Sequence, residues 1–296
     1  MARLFDKVHV YAYVGDKPVV AGTFETSDGC GQFAYDPVYL TLKGAYSLDP
    51  LNLPIRPDTF RTHDDGGFFG AILDCCPQEW GQRVMNLMAQ DIAERGDSSM
   101  SAAVAAEGMA DPHNMMIAGS GYGSGALRFA GMPDLGAELL EPTPAELHSS
   151  SIADIRRIAE VHALAAESQP LGKEDRNYLL TGMSLGGARP KAIVTIDNEL
   201  WIAKLPRARE NVDIQRVEYA VNQVAALAGI NVAPSRIEVV NINGVERTVF
   251  LSKRFDRTPT GVPMHYLSAA TVLRAPRTPA VQPGGPVNVH EAQATY

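Results

Sequence analysis

Ser184 lies in a pattern that could supply a catalytic nucleophile. Residues 182–186 read Gly-Met-Ser-Leu-Gly, the G-x-S-x-G pattern in which a serine hydroxyl attacks an acyl carbon. That chemistry needs a strand before the serine and a helix after it, because the helix start supplies an oxyanion donor. Here residues 174–180 predict a helix or an irregular segment, and Pro190 precedes alternating residues 191–196 that predict a strand. The order is reversed, which argues against a hydrolase. A hydrolase would draw its other groups from Asp213 or Asp256 and from His265 or His290.

Lys204 is a candidate for binding a phosphate. Residues 192–196 and 200–205 predict two strands joined by a turn at Asp197-Asn198, with Lys204 among apolar neighbours on the second strand. An ammonium group in such a place either extends to solvent or meets an anion. In nucleotide kinases a strand lysine contacts the α and β phosphates. Taken alone, Lys204 is better explained as an exposed edge-strand lysine.

Glu218 lies on the helix predicted to follow. Asp213 is typical of an N-cap and Gly229 of the left-handed residue after a helix. Between them, apolar residues recur on one face at Ile214, Val217, Val221, Val224 and Leu227. A second hairpin is predicted over 236–242 and 245–254, around an Asn-Gly turn. Glycine loop, lysine hairpin, glutamate helix and second hairpin follow the order of a protein-kinase small lobe, where the lysine and the glutamate pair.

The first half of the chain predicts a separate β-rich domain with helices. Residues 8–42 read as short antiparallel strands, and helical patterns cover 68–73 and the segment after Pro77. The glycine-rich stretch 119–125 lacks the G-K-[ST] ending of a P-loop and predicts a turn before a short strand. His162, on a helix predicted over 151–166, is interpreted as structural.

Composition limits the possible functions. The chain has 296 residues, 45% hydrophobic residues and a net charge of −8, with no long basic cluster, so direct nucleic-acid binding is not expected. No apolar run approaches the roughly 20 residues that span a bilayer, and the N-terminus lacks a secretory signal pattern. We therefore expect a cytoplasmic protein without membrane contact. Three cysteines without a C-x-x-C pair predict neither a disulfide framework nor a zinc site.

Several motifs in a fixed order resemble the HipA-like serine/threonine kinases of bacterial toxin-antitoxin systems. In the second half they are Ser184–Lys191, Trp201–Pro206, Val217–Tyr219, Ala228–Ile230 with Pro234, Ser252–Arg257 and His265–Ala269. In the first half they are Phe33–Leu40, Phe68–Asp74 with Pro77 and Trp80-Gly81, and Gly125–Phe129. The resemblance spans roughly Val8 to Leu273, and the number of separate motifs makes it far more specific than any single one.

The resemblance implies a role for each matching position. A loop would cover the phosphates of ATP, and its residues are Ser184, Gly186, Gly187, Ala188, Arg189 and Lys191. Lys204 would contact the phosphates and Glu218 would orient Lys204. Lys253, Arg254 and Phe255 would lie at the hinge and present backbone groups to adenine. Ser184 would be a site of autophosphorylation that ejects the loop and silences the kinase. ATP with Mg²⁺, a DNA-binding antitoxin and a protein substrate of unknown identity would be the ligands and partners.

The acids of the transfer step are missing from the sequence. Phosphoryl transfer needs carboxylates after the hinge to orient the acceptor hydroxyl and to hold Mg²⁺. After Asp256 there is no aspartate, Glu291 is the one later acid, and Asn288 is the one later asparagine. We therefore expect weak or absent ATP binding and no catalytic residue in this chain. The alternative to a kinase is a non-catalytic module that binds the antitoxin.

The predicted fold class is α+β, with an N-terminal β-rich domain followed by a protein-kinase-like small lobe and with the large lobe missing. The predicted parts are an N-terminal domain at 1–131, a linker at 132–150 and the small-lobe region at 151–273. A proline- and glycine-rich tail at 274–296 departs from the family and is predicted to be disordered.

Overall fold

The computed structural model of the protein describes residues 5–95, 112–120, 123–131, 149–167, 169, 171–172, 174–182, 185–207, 210–242 and 244–274. Within these ranges the chain is a mixed α+β protein with two five-stranded sheets, as the sequence predicts. Ser184, most of the predicted linker and the predicted tail after Arg274 lie outside the described residues. No helix in the described ranges is long and apolar enough to cross a membrane.

The first sheet comes from the first half of the chain and is antiparallel. Its strands are β1 (Lys7–Val14), β2 (Lys17–Ser27), β3 (Cys30–Tyr35), β4 (Thr59–Thr62) and β5 (Leu127–Ala130), in the spatial order β4-β3-β2-β1-β5. The helices are α1 (Pro37–Thr41), α2 (Gly70–Leu73), α3 (Glu79–Arg95) and α4 (Pro112–Ala118), with a 3₁₀ turn at Asp64–Gly66. Alternation along β1 buries Val8 and Val10, which share one core with Phe24 and Phe33. The predicted antiparallel unit is confirmed as far as Tyr35, and so is the strand after Gly125. The prediction of a strand up to residue 42 is wrong, because Asp36 caps a short helix that starts at Pro37.

The second sheet comes from the second half of the chain. Its strands are β6 (Ser150–Ser151), β7 (Lys191–Ile196), β8 (Glu199–Lys204), β9 (Ser235–Ile242) and β10 (Val245–Lys253), in the order β6-β7-β8-β10-β9. The helices are α5 (Ile155–Ala166), α6 (Arg176–Leu180), α7 (Ile214–Leu227) and α8 (Ala269–Leu273), with a 3₁₀ turn at Ile152–Asp154. Asp197 and Asn198 both have positive φ, as a two-residue turn between twisted strands requires. Both predicted hairpins and the helix between them are confirmed.

The two faces of the second sheet differ in character. Leu251, which is fully buried, shares an apolar cluster with Ile158 of α5 on one face. Because side chains alternate along a strand, the residues in register at Lys191, Lys204 and Phe250 lie together on the other face. Helix α7 packs on that second face. The lysines are therefore placed on the side of the sheet that is not filled by the apolar core.

The apolar side of α7 points away from the sheet. The exposed fractions are 49%, 63%, 64% and 89% for Val217, Val221, Val224 and Leu227. Towards the sheet, Gln215 donates a side-chain hydrogen bond to the carbonyl of Leu205 at 2.9 Å, and Glu218 pairs with Lys204. An amphipathic helix ordinarily turns its apolar face inward. Here the polar contacts of Gln215 and Glu218 fix the opposite rotation.

Substitutions on α7 and in the core test this orientation. Val221→Lys is expected to change the free energy of unfolding by less than about 0.5 kcal/mol, because the side chain is exposed. Val249→Ala, at a fully buried position of the same sheet, is expected to cost about 1.5–3 kcal/mol. Urea denaturation measures both values. A loss of more than about 1 kcal/mol for Val221→Lys would show that this face of α7 is covered.

The last described segment, residues 254–274, packs on the first half of the chain. The backbone N–H of Gly125 donates to Asp256 Oδ2 at 2.8 Å. The N–H of Ser268, at the start of α8, donates to Asp74 Oδ2 at 2.7 Å, and the Thr271 hydroxyl donates to the same oxygen at 2.8 Å. Hydrogen bonds to the carboxylates of Asp256 and Asp74 thus connect the segment after β10 to the first half of the chain.

Candidate functional site

Lys204 and Glu218 form an ion pair on the open face of the second sheet. Lys204 is the last residue of β8, and Glu218 lies on α7 one turn after the cap. The Asp213 carboxylate accepts the N–H of Arg216 at 3.0 Å, which fixes the helix start. Lys204 Nζ also lies 5.3 Å from the ring centroid of Phe250. The structure therefore brings the predicted lysine and glutamate into contact.

Lys191 is the cross-strand neighbour of Lys204. The two residues lie directly opposite in the antiparallel pair of β7 and β8. Like charges in that position destabilise a sheet unless an opposite charge is near. Glu218 pairs with Lys204, whereas the Lys191 ammonium donates to the carbonyl of Arg189 at 3.0 Å. Burial, with a smaller contribution from Lys204, lowers the pKa of Lys191 to about 8. Two neighbouring ammonium groups with one paired carboxylate are an arrangement that favours a bound anion.

A glycine turn lies over Lys191. Gly187 has φ +83°, and a Cβ added there would lie 3.0 Å from Lys191 Nζ. A Cβ at Gly186 would lie 3.2 Å from Gln78 Oε1. The N–H of Trp80, in the first turn of α3, donates to the carbonyl of Gly187 at 3.1 Å. The turn is therefore held between the second sheet and a helix of the first half. A side chain at either glycine would displace the end of Gln78 or Lys191, and the positive φ of Gly187 favours glycine in addition.

The rest of the predicted loop is fixed by contacts within the protein. Arg189 forms an ion pair with Glu210, and Arg207 donates to the carbonyl of Ala188 at 2.8 Å. The guanidinium of Arg189 already has a carboxylate partner, whereas the ammonium of Lys191 donates to a carbonyl and has no carboxylate of the described residues within hydrogen-bond distance. Of the two cations, Lys191 is therefore the one whose charge a bound anion could neutralise. Ser184 belongs to this loop in the sequence but lies outside the described residues.

The predicted hinge residues do not join the lysine pair through their side chains. Lys253 pairs with Glu199 at 2.6 Å, and Arg254 is buried against Asp256. The N–H groups of Lys253 and Arg254 donate to the carbonyls of Pro234 and Leu200, each at 2.9 Å. Phe255 is 64% exposed and contacts the ring of Tyr266 edge-on, with 5.3 Å between the ring centroids. Two of the three backbone donors expected for adenine are thus engaged within the protein.

The hydrolase candidates that the structure describes are occupied elsewhere, and His290 lies outside the described residues. Asp213 caps α7, Asp256 binds Arg254 and Arg257, and the ring of His265 lies 2.7 Å from the carbonyl of Leu48. The first regular element after the G-x-S-x-G segment is strand β7, not a helix. The order of elements required for a nucleophile elbow is absent from the described part of the chain.

Two groups near the loop were not predicted as site residues. Gln78 and Trp80 precede the loop by about a hundred positions and reach it only through folding. A Cβ at Gly182 would lie 2.8 Å from both Trp80 Nε1 and His162 Cε1. Burial lowers the pKa of His162 to about 4, so its ring is neutral and packs on Trp80 at a centroid distance of 5.4 Å. The structural interpretation of His162 fits this environment.

The comparison with known families agrees with this geometry. Residues 183–291 match the family model of the HipA-like C-terminal domain. The match covers 109 of the 296 residues of the chain. The HipA-like match includes the glycine turn, both lysines, Glu218 and the predicted hinge, and it continues to residue 291 through the segment predicted as a non-family tail. No curated protein matches the chain.

Proposed function

We propose that residues 151–273 form the small lobe of a HipA-like serine/threonine protein kinase and bind the phosphates of ATP. The observation that carries this proposal is the cross-strand pair of Lys191 and Lys204 beside a glycine turn, with Glu218 held on Lys204. The second ammonium needs an anion to balance it. A nucleotide polyphosphate supplies several negative charges at the spacing of neighbouring strands.

The order of elements supports a kinase lobe. A hairpin of β7 and β8 carries the lysine, α7 carries the glutamate, and β9 with β10 leads to the hinge segment. In this proposal Lys204 contacts the phosphates, Glu218 orients Lys204, and Lys191 with Gly186 and Gly187 covers the phosphates from the loop. Ser184 would be the regulatory phosphate acceptor. Lys253, Arg254 and Phe255 would border the adenine.

The residues present fit a polyphosphate better than they fit Mg²⁺. No group of three or more histidine, cysteine, aspartate or glutamate side chains in the described ranges is arranged to hold a metal ion. The sequence after Asp256 also contains no aspartate to orient an acceptor hydroxyl. We therefore propose nucleotide binding without phosphoryl transfer by this chain alone, and no step is assigned to the metal.

The similarity of residues 183–291 to the HipA-like C-terminal domain supports a toxin-antitoxin context. In that context a DNA-binding antitoxin is the expected protein partner in the cytoplasm, and the protein substrate is of unknown identity. The second candidate function is a non-catalytic module that binds the antitoxin. The exposed apolar side of α7 is the observation that favours it. Co-purification with the antitoxin and no phosphorylation after incubation with ATP is the result expected for that module.

Isothermal titration with ATP, with and without Mg²⁺, tests nucleotide binding. We expect a dissociation constant above about 100 µM. A kinase binds adenine between two lobes, and residues 151–273 would form the small lobe alone. Mass spectrometry after incubation with ATP should show no added phosphate. Phosphorylation of Ser184 would contradict the proposed lack of transfer, and no binding at millimolar ATP would contradict the phosphate site.

The pH dependence of ATP binding provides a separate test of Lys191. A pKa of about 8 means that Lys191 is protonated near neutral pH and loses its charge as the pH rises above that value. Phosphate groups are fully ionised there, since their second pKa is about 6. Affinity is therefore expected to fall about three- to tenfold between about pH 7 and pH 9.5. The Lys191→Met variant should bind ATP more weakly at pH 7, and its affinity should not change across this pH range. If its affinity fell with pH as in the wild-type chain, Lys191 would be excluded as the cause of the pH dependence.

A further inference from the structure

Three buried arginines surround one aspartate where the segment after β10 meets the first half of the chain. Arg128, Arg254 and Arg257 are 0%, 3% and 8% exposed, and Asp256 is 4% exposed. Asp256 Oδ1 accepts from Arg254 Nε at 2.8 Å, and Oδ2 accepts from Arg254 Nη2 and Arg257 Nη1 at 2.7 Å each. One carboxylate therefore faces three guanidinium groups. We call these four residues the arginine cluster.

Part of the hydrogen-bonding capacity of the cluster is unused. Arg128 Nη1 donates to the carbonyls of Gly125 and Leu127, and Arg257 Nη2 donates to the carbonyl of Gly123 at 3.0 Å. Four buried guanidinium nitrogens of the cluster have no partner among the described residues: Arg128 Nε, Arg128 Nη2, Arg254 Nη1 and Arg257 Nε. A buried charge without a counter-charge costs several kcal/mol. The cluster thus has both the charge and the donors to hold an anion.

A small cavity adjoins two of these arginines. Its volume is about 90 Å³, and Lys253, Arg254 and Arg257 supply three cations to its wall. Glu199 is the one acid among the described residues that line it, and that carboxylate is paired with Lys253 at 2.6 Å. The volume equals that of roughly three water molecules, which suits a small tetrahedral oxyanion. The hydroxyl-bearing Thr258 completes the polar part of the wall.

The cavity is separate from the lysine pair. Lys253 lies opposite Trp201 in the register of β10 and β8, three residues along β8 from Lys204. Three residues of a strand span about 10 Å, and an odd offset places the side chains on opposite faces of the sheet. A ligand bound at Lys191 and Lys204 therefore does not fill the cavity.

The geometry points to a second anion site, in which Lys253, Arg254 and Arg257 bind free inorganic phosphate between the β7–β8 turn and the segment after β10. The phosphate supplies the negative charge that Asp256 alone does not provide. Its binding joins the Asn198–Glu199 end of the hairpin to the arginine cluster. The site shares Lys253 and Arg254 with the proposed border of the adenine, but it uses none of the groups proposed to bind the phosphates of ATP, because Lys191 and Lys204 lie on the other face of the sheet.

Phosphate titration of the Lys191→Ala/Lys204→Ala variant tests the site without the nucleotide site. Chloride at matched ionic strength is the control for general salt effects. We expect phosphate, and not chloride, to raise the melting temperature of this variant, with saturation seen by calorimetry and ³¹P NMR. No phosphate-specific shift and no saturable heat in this variant would overturn the proposal, whatever ATP does with the wild-type chain.

Two further substitutions in the same background give effects of opposite sign. Lys253→Gln removes a cation from the wall and is expected to weaken phosphate binding about tenfold. Glu199→Gln removes the acid of the same ion pair and is expected to tighten binding severalfold. If the Lys253–Glu199 pair only stabilises the fold, both substitutions break the same ion pair and should change phosphate affinity in the same direction. That result would contradict the proposed site.

Discussion

Lys204→Met is expected to lower the affinity of the chain for ATP about ten- to a hundredfold. The ammonium of Lys204 lies on the open face of the second sheet, next to Lys191 and held by Glu218. A charge-assisted hydrogen bond to a phosphate contributes about 1.5–3 kcal/mol, which corresponds to this range of dissociation constants. The methionine keeps the length of the side chain and its contact with Phe250, so the loss of charge is the main change. NMR titration with ATP measures even the weakened binding.

A matched control separates this effect from a general loss of positive charge. Lys17→Met, on the exposed start of β2 in the first sheet, removes the same group from a position with no part in the site. Its ATP affinity and its unfolding midpoint should equal those of the wild-type chain. Equal losses for Lys17→Met and Lys204→Met would show that net charge, and not the site, governs binding.

Glu218 is expected to act through Lys204. Glu218→Gln frees the Lys204 ammonium from its ion pair, and we expect a smaller loss of affinity, about three- to tenfold. In a double-mutant cycle the substitutions at Lys204 and Glu218 should be strongly non-additive, because the glutamate has no role once the lysine is gone. Additive losses would mean that Glu218 binds ATP by another route or that its effect is on folding.

Local patterns were sufficient to predict the elements that carry Lys204 and Glu218, whereas the pairing of the two residues was predicted from the order of elements in a kinase small lobe. The alternation of the hairpin, the Asp-Asn turn and the Asp213 cap each act within a few residues, so the sequence contains the whole cause. These elements determine which strand face carries Lys204 and where α7 starts.

The rotation of α7 could not be predicted in the same way. Periodicity identifies which residues share a helix face, and it correctly groups Val217, Val221 and Val224. It does not say which face meets the sheet. That choice depends on Gln215 and Glu218, whose partners on β8 and just after it become neighbours only in the folded chain.

Contacts between the two halves were also beyond the sequence patterns. Gln78 and Trp80 meet the glycine turn from α3, and Gly125 meets Asp256 across 131 positions. No local rule connects residues at such a separation. The resemblance placed Lys253, Arg254 and Phe255 at the hinge, but no sequence pattern predicted that docking on the first half buries Arg254, Asp256 and Arg257.

Asp256→Asn is expected to destabilise the folded chain by about 3–5 kcal/mol. Removing one partner of a buried ion pair leaves the other charges uncompensated, and here Arg254 and Arg257 both lose their carboxylate. The asparagine also replaces one oxygen acceptor for the N–H of Gly125 with a group that can donate. Chemical denaturation measures the loss. Asp197→Asn, at an exposed turn residue with positive φ, is the matched control and is expected to stay within about 0.5 kcal/mol of the wild-type chain.

The difference between wild type and Asp256→Asn should shrink in acid. Burial alone would raise the pKa of Asp256, but the adjacent Arg254 and Arg257 outweigh it and hold this pKa well below its usual range. The carboxylate therefore contributes its full stability above the unfolded-state pKa of about 3.9 and loses it as the pH falls towards the folded-state pKa. The two unfolding free energies should run parallel from about pH 5 to pH 7 and converge below about pH 4. A difference that stayed constant down to about pH 2.5 would mean that packing of the amide, and not loss of the charge, causes the destabilisation.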